Sequence, residues 1–129
     1  MHPTLFILAT LLITGAQAGQ STPNAKVECA RATLAMRDDK AAPVFTSAQA
    51  ATLCSKAISN APFDCAKAAL LVKDEGLHFV FNPQQAASIC EESNSSAPIE
   101  CARGGVTLKD DQAHQALGAD ALIRLCRKN

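Results

Sequence analysis

Six cysteines lie at positions 29, 54, 65, 90, 101 and 126, and their spacing constrains the fold more than any other feature of the chain. The first members of successive pairs recur every 36 residues, the second members do the same, and 25 residues separate the two members of each pair. Such regularity marks three copies of one supersecondary unit, each too small to bury its apolar face alone and therefore stacked on its neighbours. The flanking residues keep the same register. Glu28-Cys29-Ala30-Arg31, Asp64-Cys65-Ala66-Lys67 and Glu100-Cys101-Ala102-Arg103 superimpose, as do Arg37-Asp38-Asp39, Lys73-Asp74-Glu75 and Lys109-Asp110-Asp111. Leu53-Cys54, Ile89-Cys90 and Leu125-Cys126 close the units, and Ser59-Asn60-Ala61-Pro62 and Ser95-Ser96-Ala97-Pro98 link them.

Each unit reads as two short helices. In the first, Cys29, Ala30, Leu34 and Met36 are apolar, and so are their equivalents Cys65, Ala66, Leu70, Val72 and Cys101, Ala102, Val106, Leu108; at helical spacing they form one face expected to be buried. In the second, the corresponding arc is Ala50, Ala51, Leu53, Cys54, repeated as Ala86, Ala87, Ile89, Cys90 and as Leu122, Ile123, Leu125, Cys126. Start signals accompany the second helices: Thr46-Ser47-Ala48-Gln49 fits a capping box, and Asn82 precedes Pro83 as an N-cap before a first-turn proline. Phe45, Phe81 and Leu117 sit where a hydrophobic staple would, and Gly118 is a poorer cap helped by Asp120. Between the helices, Leu77 to Phe81 reads as a connecting loop, although its alternation also suits a short strand.

In an antiparallel hairpin the start of the first helix lies beside the end of the second, so one disulfide closes each unit. The expected pairs are Cys29–Cys54, Cys65–Cys90 and Cys101–Cys126; the main rival joins Cys54 to Cys65 and Cys90 to Cys101 across the linkers. Only the first scheme makes every unit alike. No C-x-x-C or Cys/His cluster with ligand spacing occurs, so the reading includes no metal and no cofactor.

A disulfide framework needs an oxidising compartment, and the start of the chain supplies a route to one. Leu5 to Ile13 is an apolar stretch followed by Ala16-Gln17-Ala18, which suits signal peptidase cleavage before Gly19, although Met1 to Thr4 carries no Lys or Arg. We therefore divide the chain into a signal peptide at 1–18, a lead-in at 19–28, and repeats at 29–64, 65–100 and 101–129. After cleavage no segment is long enough to span a bilayer. Twelve Lys+Arg balance twelve Asp+Glu and there is no Trp or Tyr, so neither nucleic acid nor an anionic membrane is an expected partner.

A secreted array of such Cys-paired helical hairpins resembles the Sel1-like repeat proteins, in particular their cysteine-rich bacterial secreted branch, over most of the chain beyond the leader. The resemblance implies a stacked helical solenoid that binds a protein or peptide, and members of that branch have been credited with binding cell-wall-like compounds. It implies no catalysis and assigns no binding residue.

Few residues offer chemistry. His78 and His114 are equivalent loop positions, replaced by Ala42 in the first unit, and stacking sets them too far apart for one metal ion; they read as solvated side chains. The acidic pairs Asp38-Asp39, Asp74-Glu75 and Asp110-Asp111 read as solvated helix ends rather than acid/base pairs. No nucleophile motif or P-loop is present, so the chain is not expected to be an enzyme. Arg31, Lys67 and Arg103 should form a basic row along the array, a candidate for aligning an acidic peptide or anionic polymer, with Arg37, Lys73 and Lys109 as a second row. The expectation is an all-α, secreted or periplasmic array of three tandem disulfide-stapled hairpins that binds a protein or peptide. A structural envelope protein without a dedicated ligand is the alternative, with a small hydrolase or hydrolase inhibitor behind it.

Overall fold

The computed structural model describes residues 24–127, so the expected signal peptide at 1–18 and most of the expected lead-in at 19–28 lie outside the described residues. Six helices follow in order: α1 (Ala25–Ala35), α2 (Ser47–Cys54), α3 (Ala61–Ala69), α4 (Pro83–Cys90), α5 (Ala97–Gly105) and α6 (Ala119–Cys126). Consecutive helices pair as three hairpins, α1 with α2, α3 with α4 and α5 with α6. Odd helices then stack on odd helices and even on even, giving a two-layer array of three tandem units. The described part of the lead-in, 24–28, enters α1, so the structural unit begins four residues ahead of each first cysteine, at Ala25, Ala61 and Ala97.

Local sequence explains where the helices begin. Thr46 and Gln49 cap each other at the start of α2, with Gln49 N donating to Thr46 Oγ1 at 3.1 Å and Thr46 N donating to Gln49 Oε1 at 2.8 Å. Asn82 and Gln85 repeat the arrangement at α4 at 2.8 and 2.9 Å, with Pro83 at the first helical position. Gly118 contributes no side-chain cap to α6, and Asp120 in the first turn complements the dipole. Pro62 and Pro98 stand in the first turns of α3 and α5.

The disulfides are Cys29–Cys54, Cys65–Cys90 and Cys101–Cys126, with Cα–Cα separations of 5.7, 5.7 and 5.5 Å, and no described cysteine is free. Each ties the first half of an odd helix to the end of its partner. Around them Leu53, Ile89, Ile99 and Leu122 are fully buried, with Phe45 and Phe81 buried in the same core and Leu117 partly buried.

Four positions expected to be buried are exposed: Leu34, Ala51, Leu108 and Leu125. Their equivalents explain why. Val106 is buried and Leu70 partly buried where Leu34 is exposed, and Ala87 and Ile123 are buried where Ala51 is not; the second and third units each stack on a preceding one, and among the described residues no unit precedes the first. Leu53 and Ile89 are buried where Leu125 is not, and Val72 where Leu108 is not; among the described residues no unit stacks on the far side of the third. Conversely, the first helices bury a position that the apolar pattern did not mark: Thr33, Ala69 and Gly105. Thr33 is polar but satisfied, its Oγ1 donating to the Cys29 carbonyl at 2.8 Å.

The third unit shows how this small position is matched across the hairpin. Thr33 and Ala69 belong to units with Ala50 and Ala86 on the second helix, whereas Gly105 belongs to the unit with Leu122. A Cβ at Gly105 would stand 2.5 Å from Leu122 Cδ2, inside a fully buried side chain. We predict that Gly105→Ala destabilises the array by roughly 1–3 kcal/mol despite its gain in helix propensity. Adding Leu122→Ala, which recreates the Ala–Ala pair of the middle unit, should remove the clash while leaving a cavity cost of its own. Urea unfolding of both variants checks this; a Gly105→Ala protein as stable as the parent would mean that Leu122 repacks freely.

Candidate functional site

The helix-to-helix connection is the most regular part of each unit outside the helices. In the middle unit the Asp74 N–H donates to the His78 carbonyl and the Leu77 N–H to the Asp74 carbonyl, both at 3.0 Å, and Val80 N–H reaches the Val72 carbonyl at 3.0 Å. The other two units repeat this pattern, so Lys73 and Phe79, Arg37 and Pro43, and Lys109 and Gln115 face each other in isolated antiparallel bridges. Leu77 to Phe81 is thus a loop with one bridged residue, and no strand forms among the described residues. Closing so tight a turn puts Ala41, Leu77 and Ala113 in the left-handed region at φ of 63°, 64° and 65°.

The recurring acidic pair belongs to this turn. Asp38 Oδ1 accepts from the N–H groups of Lys40 and Ala42 at 2.8 and 2.9 Å, and Asp110 Oδ1 accepts from those of Gln112 and His114 at the same distances. Asp74 Oδ1 accepts from the His78 N–H at 2.9 Å. The first acid of each pair is therefore a turn staple past the helix end, which corrects the reading of both as solvated helix ends. At Asp74 the His78 backbone N–H holds the carboxyl below its ordinary range.

The two histidines are exposed at this edge. His78 Nδ1 lies 3.5 Å from Asp74 Oδ1, and His114 Nδ1 lies 4.0 Å from Asp110 Oδ2, each against the acid of its own turn. Among the described residues no cluster of three His, Cys, Asp or Glu side chains could hold a metal ion.

Arg31, Lys67 and Arg103 occupy equivalent exposed positions on α1, α3 and α5. Arg31 pairs with Glu28, while Lys67 lies 3.9 Å from Asp64 and 5.0 Å over the Phe63 ring. The second basic row is used differently: Arg37 donates to the Leu34 and Met36 carbonyls at 2.8 and 3.3 Å, Lys73 sits 4.7 Å over the Phe79 ring, and Lys109 pairs with Glu75 of the preceding unit. Further polar links join adjacent units. Lys56 lies 3.4 Å from Glu92, and Arg127 pairs with Glu91 and donates to the Ser88 carbonyl and hydroxyl. That last group closes one end of a polar groove of about 320 Å³ along the even helices, lined by Gln49, Gln84 and Ser88. A second cleft of about 340 Å³ lies at the linker before α5, beside Ser93, Asn94, Cys101 and Cys126.

One feature escaped the search for repeated residues because it is not repeated. Leu71, Leu77 and Phe79 are 69%, 75% and 61% exposed, and all three belong to the helix connection of the middle unit. The first and third units carry Ala35, Ala41 and Pro43, and Thr107, Ala113 and Gln115, at these positions. The same backbone forms with small or polar side chains, so the turn does not require the apolar ones. Reading the units for divergence, rather than identity, would have found them.

The chain matches no family model, and no curated protein or solved structure is significantly similar to it.

Proposed function

We propose that this chain is an exported, disulfide-stabilised repeat module that binds a protein or peptide through the helix-connection edge of its middle unit. The observation that carries the reading is the exposed set Leu71, Leu77 and Phe79 on a turn that folds elsewhere in the chain without them. Branched and aromatic side chains held in water on a stapled turn are costly to solubility and are common where a partner covers them. Their polar surroundings, with Lys73 over Phe79 and Glu75, His78 and Lys109 on the same or adjacent connection, supply a rim that selects among partners. The three disulfides fit an oxidising compartment, and among the described residues no helix is long and apolar enough to cross a membrane. The Sel1-like resemblance supports the same class of activity, recognition by a repeat surface.

The test grafts the third unit's residues onto the second. A protein carrying Leu71→Thr, Leu77→Ala and Phe79→Gln keeps turn residues already compatible with this backbone. Partners are first captured from the envelope or secreted fraction on the oxidised protein, with reduced and alkylated protein as control. The triple variant should bind the captured partner at least about tenfold more weakly with unchanged helicity. Undiminished binding would move the site to the Arg31, Lys67 and Arg103 row, where triple charge reversal is the next experiment. No saturable partner at all would favour the structural envelope reading.

A further inference from the structure

Comparison of equivalent positions shows what each end of the array lacks. Val27 and Leu34 at the first unit are 54% and 40% exposed, their equivalents Phe63 and Leu70 in the middle unit are partly buried, and Ile99 and Val106 in the third are buried; the middle and third units each have a unit stacked before them. Leu108 and Leu125 at the third unit are 51% and 53% exposed, while Val72 and Ile89 in the middle unit and Leu53 in the first are buried and Met36 is partly buried; the first and middle units each have a unit stacked after them. Repeat arrays ordinarily seal their ends with polar residues. Here the leading end keeps the surface that receives a preceding unit, and the trailing end keeps the surface that receives a following one.

We infer that these two ends bind each other between copies, the trailing end of one chain stacking on the leading end of the next as one unit stacks on another within the chain. The occupant is a second copy because the two surfaces already meet twice inside each molecule. Charge follows the same register at the second of the two internal junctions, whereas at the first Lys73 lies over the Phe79 ring of its own unit. Within the chain Glu75 of one unit pairs with Lys109 of the next; the same step beyond the third unit sets Asp111 against Arg37 of the following copy, again acid against base. Arg37 spends donors on the Leu34 and Met36 carbonyls, and its planar guanidinium has others for a carboxylate. The contact is heterologous, so it propagates into short filaments unless a ring closes.

Two double variants isolate the ends. Val27→Glu with Leu34→Glu blocks the leading end, and Leu108→Glu with Leu125→Glu blocks the trailing end; all four side chains are exposed in a single array, and circular dichroism checks the fold. In sedimentation over a concentration series, the oxidised wild type should exceed the mass of a pair at the highest concentrations. Each blocked variant should stay single, and their equimolar mixture should form a one-to-one pair and nothing larger. A wild type that stays single throughout, a blocked variant that still pairs with itself, or a mixture that stays single overturns the inference. Should a glutamate variant lose helicity, Arg37→Lys supplies a second measurement. Carbodiimide treatment of mixed isotope-labelled copies of that variant should join Asp111 of one copy to the introduced lysine of another, while the intrachain Glu75–Lys109 link serves as internal control. Control cross-link without the intercopy one overturns the inference equally.

Discussion

Reducing the three disulfides is expected to unfold the array at room temperature, with loss of most of its helical circular dichroism. The described helices run from 8 to 11 residues, and isolated helices shorter than about 12–15 residues are marginal in water. Each bridge closes a loop across 25 residues of separation, worth about 3.5 kcal/mol in the chain-entropy model. Three such contributions are comparable to the whole stability of an ordinary domain of this size, about 5–15 kcal/mol. The bridges are not equivalent in context. The middle hairpin packs on both neighbours, so losing Cys65–Cys90 loosens both interfaces, whereas losing Cys101–Cys126 frays one end. Paired Cys65→Ala and Cys90→Ala should lower the melting temperature by roughly 15 °C or more. The pair Cys101→Ala and Cys126→Ala should lower it less. Thermal scans of both, beside the reduced wild type, check the order. Full ellipticity after complete reduction would show that packing alone carries the array.

The second large effect separates residues that look identical in sequence. Ile89→Ala should cost about 2–5 kcal/mol, because it empties a fully buried position between the second and third units. Leu125→Ala, at the equivalent position of the last unit, should cost less than about 0.5 kcal/mol, since its side chain faces solvent in a single array. Denaturant unfolding at dilute protein measures both. Similar costs at the two sites would mean that Leu125 is covered in the folded chain, and would count against an open trailing end.

Much of the fold was legible because its signals are local or periodic. Cysteines separated by 25 residues at both ends of an antiparallel hairpin leave one pairing that makes every unit alike, and that is the pairing found. The caps at Thr46 and Asn82 were equally readable, since a side chain three residues from its partner forms the same motif in any context. The candidate surface was less so. A search for repeated chemistry finds Arg31, Lys67 and Arg103, but it passes over Leu71, Leu77 and Phe79, whose interest lies in differing from their counterparts.

By itself the sequence determined the number of units, their helical hairpins, their disulfides and the starts of their second helices, all properties that a chain carries within one repeat. Only the tertiary structure decided which apolar residues are buried and how the connections turn. Leu53, Ile89 and Leu125 occupy the same place in their units, yet burial depends on whether another unit follows, which no residue within the repeat records. The left-handed backbone at Ala41, Leu77 and Ala113 likewise carries no glycine to announce it. It arises because the Asp38, Asp74 and Asp110 carboxylates and the cross-turn backbone bonds together hold a conformation that these residues would not adopt alone.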